Sequence, residues 1–209
     1  MEQVRRPGRA LRLWKDSGAL ATLIPALVGI DDVTLGSLDC LSVPRGKRAD
    51  QRKWNRLSAL FWGLDGQAAF RAATALRFST ARAKWIAHLA ESWRQFNKDP
   101  SLTPRRLVSM VGRTEFAYFW RIVAARWAAM GVAPSRARSV YREGLRIAYS
   151  EAPLAIGDLA LDGNDLIQLG IPKGPQIREI LLEMLDAVLQ NPSLNTPERL
   201  RDWLARRGQ

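Results

Sequence analysis

The chain has 209 residues, of which 47% are hydrophobic, and its formal net charge at pH 7 is +12. This composition predicts a folded protein of one or two domains with a hydrophobic core, and without an apolar signal segment at the N-terminus we expect it to be cytoplasmic. With one cysteine the chain cannot form an internal disulfide bond, and with one histidine it has too few ligands for a zinc site. No apolar run reaches the roughly 18 residues that a membrane-spanning helix requires.

The N-terminal part of the chain is predicted to be helical. Proline suits the first turn of a helix, so a first helix is expected from Pro7 to near Gly18, followed by a second over 20–28. A third helix is expected over 33–41. Residues 43–50, VPRGKRAD, then predict an exposed basic loop.

Apolar periodicity predicts six more helices before residue 150. They cover 51–62, 67–77, 79–96, 104–112, 114–130 and 134–150. The side chains of Ser79, Thr103 and Thr114 are candidate N-caps. The helix over 114–130 is apolar on nearly every side, so we expect it at the centre of the core, with Arg121 and Arg126 pointing outward.

Residues 156–189 read IGDLALDGNDLIQLGIPKGPQIREILLEMLDAVL and combine a glycine-rich turn with an amphipathic helix. After Gly174 and Pro175, apolar residues recur at i, i+3, i+4 and i+7, which is one face of a helix. The turn either aims free N–H groups at a phosphate or uses glycine for a positive φ between two helices. A last helix follows Thr196. Since only 154–161 alternates like a strand, the predicted fold is all-α, an irregular multi-helix array with a glycine-turn helix-hairpin near the C-terminus.

Positive charge is concentrated in the middle of the chain. Residues 33–150 contain 21 basic and 7 acidic side chains, whereas 151–209 contain 6 and 9. Arginine makes up 26 of the 32 basic residues, and its guanidinium binds phosphate through two hydrogen bonds. This pattern favours a nucleic-acid partner over a membrane surface. A genome rich in G and C would also raise the arginine content without any such partner.

Two groups of cations are candidate RNA contacts, together with Lys173 in the glycine turn. The first group is Arg45, Lys47, Arg48, Arg52, Lys53 and Arg56, and the second is Arg136, Arg138, Arg142 and Arg146. Arg138, Arg142 and Arg146 are spaced to lie on one helix face. Their mutual repulsion costs stability unless an anion neutralises it, which favours a binding surface, although a solvated charged face is the alternative.

No catalytic or metal site is expected from the sequence. His88 lies in a helical context without a nearby Ser or Cys signature and is interpreted as structural. Asp31 and Asp32 precede a helix and are interpreted as turn and cap residues. The spacing of Asp158, Asp162 and Asp165 differs from that of a calcium loop, and no glycine-rich phosphate-binding motif occurs.

The motif within 156–189 resembles the C-terminal region of bacterial class II CCA-adding enzymes, the tRNA nucleotidyltransferase/poly(A) polymerase family. The turn residues that carry the resemblance are Gly163, Asp165, Gly170, Gly174 and Pro175. RALRL at 9–13 is similar to the family's neck, and RLSALF at 56–61 to its helical body. The resemblance implies a neck-like hairpin over 1–32, a basic body over 33–150 and a tail over 151–209, which together hold tRNA along its acceptor and TΨC arms.

The family's catalytic motifs belong to a head domain and do not occur in this sequence. Gly36 and Ser37 are followed by Leu38 and Asp39, so the family's glycine-serine motif is not assigned to them. The resemblance therefore implies tRNA binding without nucleotide addition by this chain alone, because Mg²⁺ and CTP or ATP would bind in the head. A split enzyme with its head on a separate chain is one alternative. A helical protein-interaction module with a basic face is another.

Overall fold

The computed structural model describes residues 4–41, 49–99 and 101–207. These residues form twelve α-helices and three short 3-10 turns, and they contain no strand. The predicted all-α fold, an irregular array of helices, is confirmed. Within these ranges, no helix combines the length and the apolar surface that crossing a bilayer requires.

The helices follow the apolar periodicity closely. They are α1 (Pro7–Asp16), α2 (Ala19–Leu23), α3 (Asp32–Cys40), α4 (Ala49–Leu60), α5 (Gly66–Ala75), α6 (Thr80–Lys98), α7 (Pro104–Val111), α8 (Phe116–Ala129), α9 (Pro134–Ala148), α10 (Gly163–Gln168), α11 (Pro175–Gln190) and α12 (Pro197–Arg207). The helix predicted over 20–28 ends early, because Pro25 disfavours helical geometry at Ile24, which has φ −141° and ψ 72°. A 3-10 turn over Pro25–Leu27 continues the chain. Another, over Ile156–Asp158, replaces the ambiguous strand.

Side-chain caps fix the starts of several helices. Ser79 and Thr103 accept hydrogen bonds from backbone N–H groups three residues later, as predicted, and Asp31 caps α3 by accepting from Thr34 N at 2.5 Å. The prediction for Thr114 is wrong. Its hydroxyl instead donates to the carboxylate of Glu115, the residue that precedes α8.

Helix α8 lies at the centre of the main core, as predicted. Its side chains Phe116, Phe119, Trp120, Ile122 and Val123 are at most 1% exposed. The ring of Trp62, just after α4, and rings of α6 and α9 pack against it. The first two helices also contribute Leu11 and Leu20 to this core, so the N-terminal hairpin is not a separate hydrophobic unit.

Arg126 does not point outward, so that prediction is wrong. The residue is 8% exposed, and its Nη1 donates to the hydroxyl of Thr34 at 2.5 Å. Its Nη2 lies 3.5 Å from the Asp31 carboxylate, and its guanidinium lies 4.8 Å from the ring centroid of Trp93. The periodicity of α8 could not show that α3 packs on this side of the helix.

The C-terminal helices form a second, smaller core. Its buried side chains are Leu161, Leu166, Ile180, Leu181, Met184, Val188 and Leu200. Two arginines of the basic body join it to the main core. Arg106 Nη2 donates to Asp186 at 2.5 Å, and Arg113 donates to the carbonyl oxygens of Ser150 and Ala152 at 2.7 and 2.5 Å. Asp186 thus neutralises Arg106, and Asp158 lies 3.5 Å from Arg113.

The glycine turn ends α10 by a known helix-stop geometry. Gly170 has φ 90°; its N–H donates to Ile167 O at 3.0 Å, and Ile171 N–H donates to Leu166 O at 3.1 Å. At the start of α10, Asp162 and Asp165 each accept from the other's backbone N–H in a capping box. The structural interpretation therefore accounts for Gly170. Gly174 has extended backbone at φ 164°.

Candidate nucleic-acid interface on helices α8 and α9

Helix α9 presents a row of arginines to solvent. Its buried side consists of Ala137, Gly144 and Ala148, which face the body. Arg138, Arg142 and Arg146 are exposed and follow one another every four residues, about 6 Å along the helix axis. The small buried residues bring α9 close to the core while the long cationic side chains extend away from it.

The described residues provide no counter-ion for the α9 row. In the described part of the chain, none of the guanidinium groups of Arg138, Arg142 and Arg146 forms a salt bridge or a hydrogen bond. Glu143 is exposed on the same helix and is likewise absent from the salt bridges of that part. The positive field of α9 is therefore directed at solvent, where it attracts polyanions.

An aromatic pocket, the α8–α9 pocket, lies beside the start of this row. It has a volume of about 240 Å³ and is lined mainly by apolar atoms. Trp120, Trp127 and Tyr141 form its aromatic walls, and Arg121 and Arg138 also line it. Arg138 is thus both the first member of the α9 row and a lining residue of the pocket.

The fourth arginine of the predicted second group, Arg136, is also exposed. Its guanidinium lies 5.1 Å from the ring centroid of Trp127, a distance at which a cation is attracted to the face of an indole. The structure therefore brings all four predicted arginines of α9 to the surface. Arg136 differs from the others because it contacts an aromatic ring.

Arg121 links the two predicted groups of cations. Its Nη2 donates to Tyr141 Oη at 3.3 Å within the α8–α9 pocket. It also lines a neighbouring pocket of about 200 Å³, which shares Ala124 and Ala128 with the first pocket and includes Arg52 and Asn55. The sequence placed Arg121 outward on α8 but not in a site, and a lone cation on an apolar helix gives no signal of its pocket.

Arg56 requires a correction, because it does not lie on the surface. It is 1% exposed, and its guanidinium donates to the carbonyl oxygens of Val4 and Arg5 at 2.8 and 3.4 Å. Burial lowers the pKa of Arg56, and the charge of Arg52 lowers it further, whereas that of Asp39 raises it. Its position on α4 faces the N-terminal segment, so Arg56 is a structural residue rather than an RNA contact.

Two of the remaining members of the first group belong to the described residues. Arg52 and Lys53 are partly exposed on α4. Lys53 Nζ lies 5.6 Å from the ring centroid of Trp54, whose face is also covered by the Arg82 guanidinium at 4.2 Å. Arg45, Lys47 and Arg48 lie outside the described residues.

The tail contributes Lys173, which is exposed in the turn between α10 and α11. It forms no salt bridge within the described ranges.

The pKa of Asp158 is lowered by a hydrogen bond from Leu154 N–H, an effect that burial opposes and that Ala155 N–H and Arg113 reinforce. Asp158 is therefore a loop-ordering carboxylate.

Other polar groups have structural roles. His88 Nε2 lies 2.6 Å from Val111 O, so the ring ties α6 to the end of α7, which confirms the structural interpretation. Among the described residues, no three His, Cys, Asp or Glu side chains are grouped closely enough to hold a metal ion.

Comparison of the chain with protein-family models, with characterised proteins and with solved structures gives no match.

Proposed function

We propose that this chain binds tRNA and serves as the tRNA-holding helical portion of a CCA-adding tRNA nucleotidyltransferase. The single observation that carries the proposal is the α9 row, in which Arg138, Arg142 and Arg146 are exposed without a counter-ion in the described part of the chain. Binding of a nucleic acid to such a surface is favourable, because the arginines neutralise its phosphates and release the counterions condensed on them.

Two further observations support an RNA partner of this kind. The basic charge is concentrated in 33–150, the region that resembles the helical body of the family. The turn and helix over 156–189 carry the motif that resembles the family's tail. Helices α8 and α9 belong to the basic region, and the tail packs against it through Arg106 and Asp186.

Nucleotide addition would require a head domain whose motifs these 209 residues do not contain. Phosphoryl transfer depends on metal ions that hold the reacting phosphates. We therefore propose that the chain supplies RNA affinity and that Mg²⁺ and CTP or ATP act in a head. Incubation of the purified chain with tRNA, CTP, ATP and Mg²⁺ should give no incorporation. Incorporation by the chain alone would overturn this part of the proposal.

The RNA-binding part is tested by titrating tRNA at several salt concentrations. Specific binding should weaken steeply with salt, with a slope of roughly 0.9 per phosphate contact on a log–log plot. The comparison is heparin, a polyanion with neither bases nor RNA shape. Equal affinity for tRNA and heparin at every salt concentration would contradict the proposal.

A second candidate is that the N-terminal helices dock a separate head chain. Four apolar side chains are exposed there: Leu13 64%, Trp14 46%, Leu23 58% and Val28 52%. A contact with the head chain would bury these four side chains. This candidate is tested by mixing the chain with a purified head domain and measuring the mass of the complex. Trp14→Ser should weaken the complex and leave tRNA binding by the chain alone unchanged.

A further inference from the structure

The α8–α9 pocket combines two properties that occur together in sites for nucleotides: its walls are aromatic and its rim is cationic. Its volume of about 240 Å³ is below the range of about 300 to 1,000 Å³ typical of sites for drug-sized ligands, so it has room for one ring system only. A planar ring system carrying one anionic group matches these properties. A neutral aliphatic chain, or a peptide segment without acidic groups, would not use the cations.

The aromatic walls are held rigidly by the core. Trp127 packs edge to face against Trp120 at 5.4 Å, and Trp120 Nε1 donates to Ala137 O at 2.7 Å. Tyr141 is stacked on Phe116 at 6.4 Å. Because these rings are already fixed, a ligand ring that packs on them orders few side chains on binding.

The polar groups of the pocket are cationic. Arg121 Nη2 donates to Tyr141 Oη at 3.3 Å, which fixes this cation beside the aromatic walls. Arg138 is exposed at the rim, where its guanidinium can bind a phosphate.

We infer that the α8–α9 pocket binds a nucleoside monophosphate unit, with the base against Trp120, Trp127 and Tyr141 and the phosphate at Arg138. The inference extends the proposed function, because the α9 row continues from Arg138 along the helix and would bind the next phosphates of an RNA strand. The unit is either an unpaired nucleotide of bound RNA or a free nucleotide, and the experiment below distinguishes the two.

The first test is a titration of the full chain with AMP, followed by tryptophan fluorescence or calorimetry, with ribose 5-phosphate as the ligand that lacks the base. AMP should bind about tenfold or more tightly than ribose 5-phosphate, the ratio expected from stacking of one base. Equal binding of the two ligands, or no binding of AMP at millimolar concentration, would overturn the inference.

Two variants locate the site. Ala128 lies at the exposed edge of the pocket, so Ala128→Phe should fill it and weaken AMP binding by about tenfold or more. Arg138→Gln should weaken AMP binding but not adenosine binding. The controls are Ala205→Phe on α12 and Arg178→Gln on α11, which lie outside the pocket and should leave AMP affinity unchanged. Unchanged AMP affinity in a folded Ala128→Phe variant would contradict the inference, and thermal unfolding checks that the variant is folded.

The source of the nucleotide is decided by RNA. A short single-stranded RNA and a paired duplex of equal length are titrated into wild type and Ala128→Phe. If the pocket accepts an unpaired nucleotide of RNA, the variant loses affinity for the single strand but not for the duplex. If it accepts free nucleotides, only AMP binding falls. If the wild-type chain binds tRNA but not AMP, this inference alone is refuted. If it binds AMP but not tRNA, the proposed function is refuted.

Discussion

Gly144 of α9 lies directly against the ring of Phe116 at the start of α8. A Cβ atom at position 144 would be 2.1 Å from Phe116 Cζ, well inside van der Waals contact. Phe116 is fully buried, so its ring cannot move into solvent. Glycine at this position therefore sets the distance at which α9, with its arginines, packs on the core.

Gly144→Ala should destabilise the fold. The added methyl group overpacks the contact with Phe116, for which a loss of about 1 to 3 kcal/mol in the free energy of unfolding is expected. Urea denaturation measures it. The matched control is Gly36→Ala in α3, where the new Cβ would meet only Ala129 Cβ at 3.4 Å and alanine's helix propensity should add up to about 1 kcal/mol. Equal effects at both positions would refute the close-packing argument.

Gly170→Ala should destabilise the tail. The residue ends α10 at φ 90°, where a Cβ is strained, and the expected cost is about 1 kcal/mol. Gly174→Ala is the control in the same turn, because Gly174 has extended backbone and open space around its Cβ position. Thermal unfolding of both variants provides the measurement. A larger loss for Gly174→Ala would indicate that the turn is not explained by helix termination.

Glu91 should make stability depend on acid. Hydrogen bonds from the side chain of Arg94 lower its pKa to about 2, with burial opposing the shift and Gln95 and the N–H of Gly66 adding to it. Since the unfolded pKa is about 4.3, the carboxylate stabilises the fold above that pH and loses its effect as pH falls towards 2. Urea denaturation at pH 7 and pH 3 should show a smaller gap between wild type and Glu91→Gln at pH 3.

The control for Glu91 is Glu151→Gln, which removes an exposed carboxylate that has no hydrogen bond or ion pair in the described part of the chain. Its effect on stability should be small at both pH values. If the gap between wild type and Glu91→Gln stays constant from pH 7 to pH 3, the carboxylate is not held in its charged form by Arg94.

Arg126→Met should destabilise the contact between α3 and α8. The change removes the hydrogen bond to Thr34 and the ion pair with Asp31, and about 1 to 3 kcal/mol is expected. Burial tends to raise the pKa of Asp31, but hydrogen bonds from Thr34 and the charge of Arg126 outweigh it, so this pKa should rise in the variant. NMR titration and denaturation test both effects. Arg71→Met, on the exposed side of α5, should change stability by less than about 0.5 kcal/mol.

The sequence predicted the helices well because helix signals are local. Proline at first-turn positions, the caps at Ser79 and Thr103 and the apolar spacing of α8 each act within a few residues. What it could not predict is which neighbour covers each cation. Arg126 and Arg56 look like surface residues by spacing alone, but α3 and the N-terminal segment bury them.

In the candidate site, too, local features could be predicted from the sequence and contacts between helices could not. The exposure of Arg138, Arg142 and Arg146 could be predicted, because their spacing separates them from the small residues Ala137, Gly144 and Ala148 on α9. The α8–α9 pocket could not, since Arg121 and Tyr141 meet only when the two helices pack. The local spacing within one helix does not report contacts made between helices.

The most direct test of the central claim compares two variants that lose the same number of charges. Arg138→Gln/Arg142→Gln/Arg146→Gln removes the α9 row, whereas Arg71→Gln/Arg178→Gln/Arg201→Gln removes three exposed cations elsewhere. The tRNA affinity of each is measured over a range of salt concentrations. We predict that the α9 variant alone loses affinity steeply and that its log–log salt slope falls by up to about 2.7, or 0.9 per phosphate contact. Equal losses of affinity and slope in the two variants would contradict a tRNA-binding surface on α9.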